Sequence, residues 1–114
     1  MLRGKIRKNM IIIYITCEST KQAKEIGKHL LRKRLCACVN IFENITPIYW
    51  WPPKKNKLCE DKEVVLIVKT IEEKFKAIEK EVTKIHSYEV PCIFSIKIDR
   101  VNQPYLDWLM GEIK

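Results

Sequence analysis

Residues 38–70, CVNIFENITPIYWWPPKKNKLCEDKEVVLIVKT, contain two extended segments around a single loop. Residues 38–45 alternate apolar and polar side chains, Thr46 and Pro47 interrupt them, and residues 48–51 resume extended character. Residues 52–57 have loop composition, and residues 63–70 are rich in β-branched side chains. The pattern predicts one long, bent strand that pairs with a second strand in a long hairpin.

Upstream of this hairpin, the sequence predicts a strand followed by a helix. Residues 10–15, MIIIYI, are apolar and mostly β-branched, as in a first core strand. Ser19 and Gln22 have the spacing of a capping box, which places a helix start there. Apolar and small residues then recur at the spacing of one helical face: Ala23, Ile26, Gly27, Leu30 and Leu31.

Downstream, the sequence predicts a second helix, a strand and a terminal helix. Thr70 and Glu73 form a second capping-box pattern. Residues 91–98 are predicted as a final core strand, and Pro104 marks the start of a short last helix. The second helix is expected to bury one apolar stripe: Phe75, Ile78, Val82 and Ile85.

The element order predicts an α+β fold, a ferredoxin-like βαββαβ arrangement with a long β2-β3 hairpin and a C-terminal helix. The chain has 114 residues, enough for one core, so we assign residues 10–114 to a single domain and residues 1–9 to a mobile basic arm. The hairpin is longer than a four-stranded sheet of this size requires. Its aromatic end should project and be covered by another chain, which predicts an oligomer.

Charge and cysteine content narrow the function classes. The formal net charge is +8, but four positive residues lie within the first eight positions, so nucleic-acid binding through this arm is the least favoured reading. No apolar run approaches the ~18 residues of a membrane span. Five cysteines, an odd number, are scattered through the chain, which favours reduced thiols and a cytoplasmic location.

Five separated motifs resemble one known family. Residues 37–41 (ACVNI), 49–51 (YWW), 69–70 (KT), 86–91 (HSYEVP) and 105–108 (YLDW) are similar in order and spacing to the CutA family of divalent-cation tolerance proteins. The resemblance runs from about Met10 to Trp108. It implies a ferredoxin-like subunit in a homotrimer similar to PII-type signalling trimers, with a subunit interface formed by Tyr49, Trp50, Trp51 and Trp108.

The resemblance also implies a link to divalent cations, copper especially. Metal-binding assignments in some bacterial members use a first-strand cysteine and two adjacent histidines, but Ile15 and Ile85 occupy two of those positions here and only His86 matches. We take His86, Glu89 and Cys38 as candidate ligands, since imidazole and thiolate suit copper or zinc. An inter-subunit cleft is expected to contain Lys69, Tyr88, Glu89, Trp50 and Tyr105.

Each candidate also has a purely structural explanation. His86 follows the predicted second helix, where the helix dipole favours a partly cationic imidazole. Cys17, Cys36 and Cys38 can pack as small hydrophobic residues. The sequence has no nucleophile-base signature, phosphate-binding glycine loop or His-Glu-x-x-His motif, so we expect no enzyme activity. Two functions remain: a trimeric metal-binding or metal-sensing protein, or a PII-like module that binds a partner protein or a small anionic metabolite without metal.

Overall fold

A computed structural model describes residues 9–114, so the predicted basic arm lies outside the described residues except for Asn9. Six strands and three helices follow one another along this part of the chain. They are β1 (Met10–Cys17), α1 (Thr20–Arg32), β2 (Cys38–Ile45), β3 (Ile48–Trp50), β4 (Leu58–Glu60), β5 (Glu63–Ile71), α2 (Phe75–Ile85), β6 (Ile93–Lys97) and α3 (Gln103–Glu112). None of these helices is both long and apolar enough to cross a bilayer.

Four strands form one antiparallel sheet in the order β2-β5-β1-β6. Each βαβ unit therefore has a third strand between its two strands, which is the split arrangement of the ferredoxin-like fold. The predicted fold class is confirmed. The short strands β3 and β4 pair with each other and with no other strand of residues 9–114, and they extend from the sheet as a second element, here called the ribbon.

The core lies between one face of the sheet and helices α1 and α2. Alternate residues of β1, from Ile11 to Cys17, are buried on this side, while Ile12, Tyr14 and Thr16 point to the other side and are partly exposed. Helix α3 closes one end of the sheet, where Leu109 packs with Met10 and Ile71. The sheet face opposite α1 and α2, here called the open face, is contacted by α3 at this end, through Leu109, and stays partly exposed beyond it at Tyr14 and Phe94.

Helix α1 begins as its sequence predicts. The Ser19 hydroxyl accepts a hydrogen bond from the Gln22 backbone N–H at 3.1 Å, and the Gln22 side chain accepts one from the Glu18 N–H at 2.9 Å. Ala23, Ile26 and the rest of the predicted stripe lie at the sheet, fully buried except Leu31.

The start of α2 was predicted wrongly. Thr70 lies inside β5 with its side chain fully buried, and its hydroxyl donates to the Leu35 carbonyl at 2.6 Å instead of capping a helix. A 3₁₀ turn, Glu72–Lys74, precedes α2, and no side chain of the described residues caps that helix. Ile85, the last residue of the predicted stripe, is exposed, because the helix ends there beyond the edge of the core.

The long strand of the hairpin is divided in two. The register between β2 and β5 shifts between Phe42 and Ile45, and Pro47 then separates β2 from the ribbon. The end of the hairpin does leave the sheet, as predicted, and Trp50 is 66% exposed. Strand β6, predicted as a core strand, is an edge strand whose Phe94 and Ile96 are about half exposed, because they lie on the open face.

Candidate functional site

His86 joins the end of α2 to the end of β1. Its backbone N–H donates to the Val82 carbonyl at 2.9 Å. Its Nε2 lies 2.8 Å from the Thr16 carbonyl, an acceptor, so Nε2 carries the proton and donates. Its Nδ1 then accepts the Tyr88 backbone N–H at 3.0 Å. Both ring nitrogens are engaged, so a metal ion could bind this imidazole only after one hydrogen bond is released.

Tyr88 turns back from the His86 segment towards the sheet. Its ring packs against the His86 ring with centroids 4.7 Å apart, and its hydroxyl donates to the Glu63 carboxylate. Burial, and then this carboxylate, raise the pKa of Tyr88 above its ordinary value, so it remains a neutral donor. Glu89 follows with an exposed side chain.

Tyr88 and Glu89 line a cavity of about 660 Å³ between the base of the ribbon, the open face and residues 87–92. On the ribbon side, the Tyr49 hydroxyl lies 3.5 Å from a carboxylate oxygen of Asp61. The full lining is Tyr14, Thr16, Pro47, Tyr49, Trp51, Asp61, Glu63, Ser87, Tyr88, Glu89, Val90 and Cys92. Twelve residues from four parts of the chain therefore form one concave surface.

A second group of predicted residues lies at the opposite end of the sheet. The Lys69 ammonium is 5.6 Å from the centroid of the Tyr105 ring, which in turn is 5.4 Å from the Trp108 ring. Lys69 pairs with Ile12 on β1, whereas His86 bonds to Thr16, four residues further along. At about 3.3 Å per residue, this offset places the two groups roughly 13 Å apart along the strand.

Two other predicted residues also lie away from the cavity. Cys38 is opposite Lys69 in the β2-β5 register, and its thiol lies 3.8 Å from the Val39 carbonyl. Trp50 pairs with Leu58 on the face of the ribbon opposite Tyr49, and it does not line the cavity. Within a single chain, the residues of the predicted cleft therefore lie at two different ends of the sheet, and so do the predicted metal ligands. The two groups could come together only if a neighbouring subunit supplied one of them.

The other thiols are not arranged as a metal cluster. Burial raises the pKa of Cys17 and of Cys36 to about 12, with smaller contributions from Glu63 and Cys38 respectively, so both are protonated. Within residues 9–114, no three His, Cys, Asp or Glu side chains are grouped closely enough to hold a metal ion. The predicted ligand set thus has no preformed cage within the described part of one chain.

Sequence reasoning missed several lining residues, notably Asp61, Glu63 and Cys92. One signal was available for Glu63, since it alternates along β5 with Val65, Ile67 and Lys69 and therefore shares the open face with them. The same alternation places Cys92 on the open face with Phe94 and Ile96, whereas no comparable signal existed for Asp61, which reaches the cavity through the bend of the ribbon.

Comparison with known sequences identifies the family. The profile described as "CutA1 divalent ion tolerance protein" matches residues 11–112. The chain belongs to the CutA1 family. A CutA1 relative from Thermotoga maritima, the "Divalent-cation tolerance protein CutA", is 46% identical over 104 residues, which cover 91% of this chain and 99% of the relative.

Solved CutA1 structures are similar along nearly the whole chain. The "periplasmic divalent cation tolerance protein CutA" of Archaeoglobus fulgidus superposes with a TM-score of 0.87 at 42% identity, covering 92% of this chain and 99% of that one. CutA1 of Pyrococcus horikoshii gives a TM-score of 0.84 at 39% identity, covering 91% and 98%. The resemblance seen in the sequence motifs is therefore confirmed at the level of family and fold.

Proposed function

We propose that this protein acts as a homotrimer in the response to divalent cations, copper or zinc, by binding the metal rather than by catalysing a reaction. The observation that supports it best is the charge of the cavity. Asp61, Glu63 and Glu89 line it, and no lysine, arginine or histidine among residues 9–114 does. Because a concave surface of one charge sign concentrates counter-ions, this cavity should attract cations. The family relatives are likewise named tolerance proteins, not enzymes.

The surface of one chain supports assembly. Phe94, Ile96 and Phe42 are each 44–53% exposed on the open face, and Trp50 and Leu58 are more than 60% exposed on the ribbon. Apolar surface of this kind is typical of protein interfaces. Strands β2 and β6 also leave both edges of the sheet unpaired within the described residues. Two further copies of the chain would cover these surfaces in the proposed trimer, and the resemblance to PII-type trimers supports that number.

In such a trimer the metal ligands would come from two subunits. His86 and Glu89 lie at the cavity end of the sheet, and Cys38 lies at the other end. A site that uses all three takes its thiolate from a neighbour, and imidazole with thiolate suits copper or zinc. His86 would first release its bond to Thr16 or to Tyr88.

Native mass spectrometry of reduced, metal-stripped protein, titrated anaerobically with copper and then with zinc, tests assembly and metal binding together. We expect a trimer that takes up three metal ions, and we expect Glu89→Gln and His86→Ala each to reduce this uptake. Glu60→Gln is the matched control, since it makes the same charge change on β4 outside the cavity. A monomer, or a trimer without stoichiometric metal, would contradict the respective half of the proposal.

A second function is favoured by one observation. Both nitrogens of His86 are already engaged, whereas the Lys69 ammonium lies over an aromatic ring at a surface end of the sheet, where it can contact an anion. A PII-like module that binds a partner protein or a small anionic metabolite would use this end of the molecule. Binding of such a ligand that persists in chelator and is lost in Lys69→Met would identify this function.

We also propose that the protein resides in the cytoplasm. All five cysteines are free in the structure, and two of them are buried thiols. Such a set is typical of a reducing compartment. The Archaeoglobus relative is described as periplasmic, so cell fractionation followed by thiol labelling distinguishes the two locations.

A further inference from the structure

The cavity has the size of a small-molecule site. Its volume of about 660 Å³ falls within the ~300–1,000 Å³ typical of ligand pockets. Such a volume exceeds what a bare ion requires. Its three carboxylates are spread over the wall and, with the neighbouring thiols and histidine, do not converge on a point within residues 9–114. One chain alone therefore offers room for a cation of several atoms.

The charged residues of the cavity wall indicate the sign of the charge that the ligand should carry. The whole chain has a formal net charge of +8, yet the charged residues that line the cavity in the described part of the chain are all acidic. Partial burial, and then the Glu63 carboxylate, raise the pKa of the Cys92 thiol, as they do for Tyr88. Burial alone would disfavour charge of either sign, but the contribution of Glu63 to both pKa shifts is that of a negative charge on the wall, which favours a cation.

Aromatic rings supply the second recognition element. Tyr14, Tyr49, Trp51 and Tyr88 all line the cavity. The Tyr14 ring is held by stacking on Phe94, with centroids 4.8 Å apart. The hydroxyls of two tyrosines face carboxylates, Tyr49 facing Asp61 and Tyr88 facing Glu63. These contacts orient the side chains, and both carboxylates keep their negative charge. A cation within ~6 Å of such ring faces is attracted by the ring quadrupole, and Trp provides the strongest attraction.

From these three features we propose that the cavity binds an organic cation with a primary ammonium or guanidinium group. The charged group would lie between Glu63, Asp61 and the aromatic rings, and its alkyl part would contact Trp51 and Val90. The proposal shares the cavity with the proposed metal response but requires no metal ion and no ligand from a neighbouring subunit; it requires that the neighbouring subunits leave this cavity open.

The test is isothermal titration calorimetry of the chelator-treated protein, in the assembly it forms in solution. The probes are 1,5-diaminopentane, agmatine and, as the uncharged match of the first, 1,5-pentanediol. We expect both cations to bind and the diol to bind at least about tenfold more weakly, the factor that corresponds to one charge-assisted contact. Binding of the cations should weaken as salt is raised.

Three variants locate the binding. Glu63→Gln keeps an acceptor for the Tyr88 hydroxyl and removes one charge, so we expect about a tenfold loss of diamine affinity. Glu60→Gln makes the same charge change on β4 outside the cavity and should leave the affinity within about twofold. Trp51→Leu should weaken the binding of both cations, because it removes an aromatic ring from the cavity wall.

Absence of diamine binding, equal affinity for diamine and diol, or equal losses in Glu63→Gln and Glu60→Gln would each overturn the proposal. Metal titration of the same sample separates it from the proposed function. Metal uptake without diamine binding refutes only the organic-cation site, and diamine binding without metal uptake refutes only the metal response.

Discussion

At Gly27, an added methyl group should have two opposing effects on stability. It should overpack the contact between α1 and the sheet, and it should favour the helical conformation of α1. Gly27 is buried inside α1, and a Cβ there would lie 3.0 Å from Val39 Cγ2 and 3.5 Å from Leu66 Cδ1. Leu66 is fully buried and Val39 packs against the same core cluster. The new Cβ would be closer to Val39 than an ordinary van der Waals contact, so Gly27→Ala should strain the contact between α1 and the sheet.

The size of the effect follows from two opposing contributions. Replacing a helix-interior glycine by alanine stabilises a protein by about 0.5–1 kcal/mol through the reduced entropy of the unfolded chain. Overpacking a core position costs about 1–3 kcal/mol. We therefore expect Gly27→Ala to lower the free energy of unfolding by about 1 kcal/mol. Gly111→Ala in α3 meets no atom within 4 Å, so it should raise that free energy by a few tenths of a kcal/mol up to about 1.

Urea unfolding monitored by circular dichroism measures both variants, at one protomer concentration because oligomers unfold in a concentration-dependent way. Val39→Ala removes the methyl group that the new Cβ would contact. The double variant Gly27→Ala/Val39→Ala should therefore be more stable than the sum of the single changes predicts, by about 1 kcal/mol. The packing argument is refuted if Gly27→Ala is as stable as Gly111→Ala, or if the double-mutant cycle shows no coupling.

Three further predictions concern other buried or paired groups. A hydrogen bond from His29, with further contacts from lysines, lowers the pKa of Glu81 to about 2, below its ordinary 4.5; its stabilising contribution should be complete above about pH 4.5 and lost as pH falls towards 2. Glu81→Gln should remove that part of the acid dependence in pH-dependent urea unfolding. Thr70→Val deletes the buried hydroxyl that donates at 2.6 Å and should cost about 1–2 kcal/mol in the same assay. Iodoacetamide applied to native protein should leave Cys17 and Cys36 unmodified by peptide mass spectrometry, since both are fully buried with raised pKa values.

Each of these has a clear contrary result. An unchanged acid limb in Glu81→Gln would show that the carboxylate contributes nothing in the folded state. A Thr70→Val variant as stable as the parent would mean that the hydrogen bond has no net value, and Thr70→Ser, which keeps the hydroxyl, is its control. Rapid labelling of Cys36 in folded protein would show that the end of α1 opens readily.

Much of the fold was predictable because its signals are local. The cap at Ser19 and the apolar stripe that follows it depend on residues within a few turns of one helix, and both are confirmed. The element order and the family motifs were sufficient for the ferredoxin-like arrangement. The predicted cap at Thr70 was wrong because a competing interaction was stronger. Strand β5 continues through Thr70, and the Thr70 hydroxyl donates a hydrogen bond to the distant Leu35 carbonyl.

The candidate site was predictable only in part. Tyr88 and Glu89 were predicted because they belong to a continuous motif. The carboxylates that face them, those of Asp61 and Glu63, belong to the segment that leads from the ribbon into β5. Asp61 and Glu63 are more than twenty residues from Glu89 in sequence. Their approach depends on how Pro47 and the β2-β5 register shift redirect the chain, which no local pattern expresses.

The sequence by itself determined the order of strands and helices, the buried face of α1 and the family, since each depends on short-range periodicity or contiguous motifs. The tertiary structure alone decided which charged and aromatic side chains share a cavity. It also showed that Lys69 and His86 lie at opposite ends of the sheet within one chain. The physical reason is that contacts between distant segments depend on strand register and on the bend between sheet and ribbon, and a shift of one residue would move every side chain to the other face.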